Sequence, residues 1–240
     1  MGTIDAYRNQ RGKVRRAFRR RFRVPLLKLT PDRKLSPIER FVRDGLNSKI
    51  YSSVPRTEVS RILVFGGYKG DSVEGWLAKN PTATVHVYEP VPEYADVLGH
   101  RFSDTIVTVH TYGVGKKSGQ RTFSVMGDAT SGHPGITEAS SGQHRSASVR
   151  FKSAKKAASG WADTIDLAEI NIEGGEYELI SALADIDILS RITHLFVQFH
   201  DVGKDTESLV DEARRQLAQT HVQVWNYDMV WEYWRLSNAK

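Results

Sequence analysis

RILVFGGYKGDSVEGW, Arg61 to Trp76, is the stretch whose reading decides the fold. A short apolar run, as a buried strand requires, enters three glycines and then a run that can start a helix. Glycines after a first strand let the backbone turn tightly and approach a ligand with no Cβ in the way. The loop is not a P-loop, because Asp71 follows Gly70 where Lys and Ser/Thr are needed. It is not a nicotinamide-dinucleotide fingerprint either, because G-x-G-x-x-G is absent.

Outward from this stretch the chain alternates strand-like and helix-like segments. TVHVYEP (84–90), TIVTVHTY (105–112), LAEINI (167–172) and THLFVQFH (193–200) read as four further strands. Helical patterns lie between several of them. In VPEYADVLGHRF, Tyr94, Val97 and Leu98 share a face. In GGEYELISALADI, Tyr177, Ile180 and Leu183 do. TESLVDEARRQLAQ is a further amphipathic helix, and VQVWNYDMVWEYWRLS reads as two closing strands around a turn near residues 226–228. This rhythm predicts an α/β fold: a Rossmann-like, mostly parallel seven-stranded sheet with helices on both faces. Such sheets bind ligands at the carboxyl ends of their strands. The rule singles out Gly66 to Gly70, Glu89, Tyr112 to Gly115, Asn171 to Gly174, and His200 with Asp201. Glu89 ends the second strand, where a carboxylate can accept both hydrogen bonds of an adenosine ribose diol.

At 240 residues with 40% hydrophobic composition, the chain is long enough for one sizeable domain. With no cysteine, disulfide frameworks and thiolate chemistry are excluded. No apolar run reaches membrane-spanning length and no signal-peptide pattern opens the chain, so a cytoplasmic protein is the expectation, with a peripheral place at the inner membrane face as the alternative.

The net charge of +6 is unevenly placed. Met1–Lys34 carries twelve Lys/Arg against Asp5 and Asp32, about +10, which leaves about −4 for the rest. Residues 1–34 therefore read as a basic arm and 35–240 as the domain. Val14, Phe18 and Phe22 would line one side of a helix otherwise dense in arginine, a pattern suited to an anionic membrane surface. Nucleic acid is the second anionic option, and a solvated extension the plain one. Ser36, Pro37 and Glu39 make a helix start with a capping box, with Ile38, Phe41 and Val42 facing inward. Residues 127–149, with nine Ser/Gly among 23 residues, show no helical or strand period and read as a lid loop.

Together VFGGYKGDSVEGW, VHVYEPVPEYADVL, VTVHTYGVGKKSGQRTFSV, IDLAEINIEGGEYELISAL and ITHLFVQFH resemble the FkbM family of S-adenosylmethionine-dependent methyltransferases, in order from about Arg61 to His200. The resemblance is most specific at INIEGGEYELI, which is similar to that family's I-D-V-E-G-x-E. It implies an O-methyltransferase acting on a sugar hydroxyl, in a glycolipid, polysaccharide or glycosylated natural product. It implies that Gly66, Gly67, Tyr68 and Gly70 lie beside the methionine part of S-adenosylmethionine, that Glu89 holds the ribose, and that Gly113 and Val114 lie near the adenine edge. Asn171 and Glu173 would lie close to the transferring methyl, and His200 ends the fifth strand.

A hydroxyl is a poor nucleophile at neutral pH, so a base is expected. Histidine, ordinarily near pKa 6.5, suits that task, and strand logic favours His200, with Glu173 beside it. Asn171, Glu173, His200 and Asp201 could gather a cation, but no spacing demands one and no metal is assigned. Three departures stand out: Val64 where the family has an acid, Asn171 where it has Asp, and Gln198 where it has Glu. They keep open a different class, an inactive Rossmann-like module that binds a membrane or partner through its arm.

Overall fold

The computed structural model describes residues 35–55, 59–125 and 145–237. The basic arm, and residues 127–144 of the expected lid, lie outside them.

The described chain opens with two short helices, α1 (Pro37–Arg43) and α2 (Asn47–Ser52). The capping box at Ser36 and Glu39 is formed, and Phe41 is fully buried, while Ile38 and Val42 are only half-buried. Strand β1 (Arg61–Phe65) leads through the glycine loop into α3 (Asp71–Lys79). Strand β2 (Thr84–Tyr88), α4 (Pro92–Arg101) and β3 (Val107–His110) follow. A second run of strands comes next: β4 (Gly113–Gly115), β5 (Gly119–Val125) and β6 (Arg145–Ser153), then α5 (Ala154–Ala158). The chain returns through β7 (Ile165–Ile170), α6 (Glu176–Ala184), β8 (Ile192–Val197) and α7 (Thr206–Ala218), and ends in β9 (His221–Tyr227) and β10 (Trp231–Leu236).

Seven strands form one sheet in the order β3-β2-β1-β7-β8-β10-β9. The four pairings among β3, β2, β1, β7 and β8 are parallel, and β10 runs antiparallel to both neighbours. The turn between β9 and β10 falls at 228–230, two residues later than the sequence suggests. The apolar runs are buried on both faces, as a helix-covered sheet demands. On one face Val64, Trp76, Leu98 and Phe196 pack with Phe41 and Ile50. On the other, Phe65, Ile170, Leu179, Val210 and Leu217 form the larger core under α5, α6 and α7.

The chain moves from β1 outward to β3 and then returns to β7 on the other side. The order therefore reverses between β1 and β7, which opens a crevice at their carboxyl ends. The structure corrects the lid expectation in part. Arg145–Val149 are not loop but the first half of β6, which pairs antiparallel with β5 and parallel with β4 in a separate three-stranded sheet.

Candidate active site

The glycine loop and the Asn171–Gly175 loop leave adjacent strands and touch. The Asn171 N–H donates to the Phe65 carbonyl at 3.0 Å, and Gly66 N–H to the Tyr88 carbonyl at 3.0 Å. Gly66 has φ +89°, and a Cβ there would lie 2.0 Å from the Asn171 carbonyl oxygen. A Cβ at Gly67 would strike Val87 and Leu98, and one at Gly70 would strike Phe102. So these glycines are required first by packing against the neighbouring loop and α4. Their backbone, not a void left by missing side chains, faces the crevice. Tyr68, at φ 44°, sets its ring edge-on to Tyr94 at 4.8 Å.

Glu89 is 5% exposed and binds the loop directly. Its Oε2 accepts from the Tyr68 N–H and its Oε1 from the Val91 N–H, both at 2.9 Å. Burial pushes its carboxyl above the usual range, and backbone donors partly offset this. A carboxylate has about four lone-pair sites, so two N–H bonds leave room for a diol. Asn171 Oδ1 is buried with no hydrogen-bond partner. An orphaned acceptor at the end of β7 and a buried carboxylate at the end of β2 suit a ligand that brings donors, as a nucleoside with an amino-acid tail does. The residues present thus fit S-adenosylmethionine, which Glu89, Asn171 and the loop backbone would hold.

Glu173, His200 and Glu176 form the second half of the site. Glu173 adopts φ 49° and Gly174 φ 96°, which swings the chain sharply off β7 into α6. Glu176 is fully buried. Its Oε2 accepts the Gly174 N–H at 2.9 Å, and its Oε1 accepts both the His200 N–H at 2.7 Å and His200 Nδ1 at 3.1 Å. His200 Nε2 lies 3.4 Å from Glu173 Oε1. Burial alone would lower the His200 pKa, but the two flanking carboxylates overcome it and push it up to about 10. His200 is therefore an imidazolium at neutral pH. Both ring nitrogens face carboxylates, an arrangement that favours the protonated ring and disfavours the expected role of His200 as a free general base. Glu176, which the sequence reading passed over, is the reason. Its signal was an acid three residues after Glu173 across a Gly-Gly turn.

The departures also find places. Val64 is the register partner of Glu169 in β7, and in parallel neighbours paired side chains share a face. Glu169 is buried and accepts from Trp76 Nε1 at 2.5 Å. Asp71, the first residue of α3 after the glycine loop, pairs with Arg101 at 2.8 Å on the surface. Asp201 caps the turn into α7, taking the Gly203 N–H and the Thr206 hydroxyl. Among the described residues no group of three or more His, Asp or Glu is arranged around a common metal position.

Gly113 and Val114 lie apart from the loop residues, in the wall of a cavity of about 510 Å³. The cavity starts at the strand ends, at Phe65, Tyr88, Pro90, Ile172 and Gly174. It runs between the small sheet and helices α6 and α7, past Phe123, Phe151 and Tyr177. The Arg121–Glu178 pair, doubly bonded at 2.7 Å, spans one side.

Residues 65–228, more than half of the chain, match the family described as Methyltransferase FkbM domain. No curated protein matches the chain in sequence. Among solved structures it is similar to a putative rRNA methylase from Clostridium thermocellum, at 8% identity and TM-score 0.50 over 81% of this chain and 97% of that one. It is also similar to an SAH-bound Podospora anserina methyltransferase, at 11% identity and TM-score 0.49 over 80% and 77%. The O-methyltransferase TomG from Streptomyces achromogenes, solved with SAM, matches at 11% identity and TM-score 0.47 over 92% and 86%. At such identities the first of these likenesses speaks for the fold alone. The family match over the crevice and its flanking strands is what decides identity: the chain belongs to the FkbM family of S-adenosylmethionine-dependent methyltransferases.

Proposed function

We propose that this methyltransferase is an O-methyltransferase acting on a sugar hydroxyl, in a glycolipid, polysaccharide or glycosylated natural product. The observation that carries the reading is the cavity. Its walls join aromatic surfaces, Phe123, Phe151 and Tyr177, to a polar set of Arg121, Glu178, Ser181 and Gln216. A sugar needs both: apolar ring faces to lie on aromatic side chains and hydroxyls to meet hydrogen-bonding groups.

S-adenosylmethionine, when bound, supplies an electrophilic methyl. The chain's own part is to hold an acceptor hydroxyl still and take its proton. Glu173 is the carboxylate at the mouth of β7 and is assigned the proton. His200 holds Glu173 by charge, and buried Glu176 anchors His200 through ring and backbone together. Glu173→Gln keeps the shape but removes the proton acceptor. Turnover on deoxysugar glycolipids should fall by about 10²–10⁴-fold, with S-adenosylmethionine affinity nearly unchanged. Near-normal turnover in Glu173→Gln, or products methylated on nitrogen, would overturn the reading. Cofactor binding without turnover across a broad panel would favour the inactive module, with Val64 and Asn171 as the cause.

The basic arm supports an acceptor at a membrane. Its charge predicts binding to anionic vesicles that weakens with salt, since exposed charges are screened over about 10 Å at 0.1 M. Removing residues 1–31 should abolish that binding and spare cofactor affinity. Equal vesicle binding by both chains would remove the arm from the proposal. Among the described residues no helix is long and apolar enough to cross a membrane.

A further inference from the structure

On the far side of the small sheet from the large cavity lies a second concavity, of about 420 Å³. We propose that it binds the phosphate or diphosphate group of a soluble ligand, through Arg150 and Lys152 of β6 and Lys156 of α5, with Ser118 and Gln120 of the loop and strand opposite.

Alternation along β6 builds it. Val149 and Phe151 are buried, so Arg150 and Lys152 project together from the opposite face. Lys152 Nζ sits 4.1 Å, and Arg150 Cζ 5.7 Å, from the centroid of the same Tyr112 ring. The two charges are thus at most about 10 Å apart, within the distance over which salt leaves them repelling one another. Tyr112 is buried, so its ring holds both cations in place before any ligand arrives. No Asp or Glu lines the concavity, and among the described residues none of the three cations has a carboxylate partner. The neighbouring cations do find acids: Arg121 takes Glu178, Lys116 takes Asp185 and Arg145 takes Glu93. The uncompensated charge is felt by its surroundings, since Lys152 helps, after burial and His86, to lower the pKa of His110.

Three clustered cations, one a guanidinium able to grip two oxygens, match a compact multivalent oxyanion. The hollow is open, but no exposed apolar side chain lines it to enter a bilayer, since Phe151 is buried, and this favours a soluble phosphate over a lipid surface. A nucleic-acid backbone would need a track of cations longer than this one hollow.

Calorimetry with inorganic pyrophosphate, on the full chain at ionic strength held constant with sodium chloride, tests the assignment. Saturable binding is expected. It should weaken at least about tenfold in the Arg150→Gln, Lys152→Gln double variant, and not in Lys204→Gln, an exposed lysine elsewhere. In the unaltered chain, pyrophosphate should shift the amide resonances of Gly119 and Gln120, a readout that needs no variant. Equal binding by the double variant, or no amide shift at those residues, would overturn the site. Binding to phosphatidylglycerol vesicles that needs Arg150 and Lys152 but resists competition by pyrophosphate would overturn it too, in favour of a lipid surface. None of these readouts involves methyl transfer, so the outcome stands apart from that of the acceptor assignment.

Discussion

His200 shows how one unremarked neighbour changes a residue's chemistry. Read alone at a strand end, it is a base. With Glu176 buried against Nδ1 and Glu173 across Nε2, it is a cation held by two anions. The consequence for stability has a definite sign. The folded pKa, about 10, lies above the unfolded value of about 6.5. Between those values the folded state binds the extra proton. The contribution is therefore complete below pH 6.5 and is lost as pH rises through about 10. His200→Asn leaves two carboxylates facing each other, one of them wholly buried, and should cost about 3 kcal/mol at pH 7. Thermal unfolding of both proteins at intervals from pH 6.5 to 10 should show the gap closing as pH rises. A gap that stays constant with pH would mean that His200 is neutral in the native state.

At the scale of elements, loop and strand depend on each other through Gly66. Alanine there would put a Cβ 2.0 Å from a backbone oxygen, at φ +89°. Neither atom is the end of a flexible side chain, so the loop or β7 must shift. Gly66→Ala should destabilise by at least about 2 kcal/mol and weaken cofactor binding, since it moves Asn171. Gly99, exposed in α4 with open space around its would-be Cβ, is the internal contrast. Gly99→Ala should stabilise by about 0.5–1 kcal/mol. Denaturant unfolding of the pair checks both signs, and a mild effect at Gly66 would show that the two loops do not constrain each other.

The same scale shows what could be read beforehand. The five parallel strands were legible because strands buried on both faces are short apolar runs, as in RILVF. The small sheet was not, because its inner and outer faces alternate and its outer face is Gln, Thr, Ser, Arg and Lys. Arg121, Phe123 and Val125 on β5, with Ala147, Val149 and Phe151 on β6, do carry a period of two. The Ser/Gly content of 127–149 hid the second of these runs. At the site, the glycine loop and Glu89 were legible as a strand-end pattern. The His200 clamp was not, because it needs Glu176 and His200, 24 residues apart, to meet across β7 and β8.

Across the whole molecule, histidines of opposite habit sit at two places on the sheet. His200 is held charged in the crevice. His86 and His110 pair across β2 and β3, the outermost strands on that side, with Nδ1 and Nε2 3.0 Å apart and His110 stacked on Tyr88 at 4.6 Å. Burial lowers both pKa values, and for His110, whose neighbours His86 and Lys152 add repulsion, the value falls to about 4. When both rings are neutral, one donates and the other accepts. When both are protonated, donor faces donor. The sign is opposite to that of His200: below about 6.5 the unfolded chain takes up protons that the folded pair resists. The pair's contribution is thus present above pH 6.5 and declines as pH falls toward 4. Glu89 and Glu169, whose buried carboxyls are raised, act the other way over part of this range, so the total profile is not the test. The difference between two proteins is. His110→Phe keeps a flat ring against Tyr88 and cannot charge. Relative to the unaltered chain, its melting temperature should climb as pH drops from 7 to 4. At pH 7 and above it should sit level or slightly lower, since the bond to His86 is gone. A difference that does not change with pH would show that His110 protonates in the folded state as easily as in the unfolded one. The stacked pair would then be held together by packing alone.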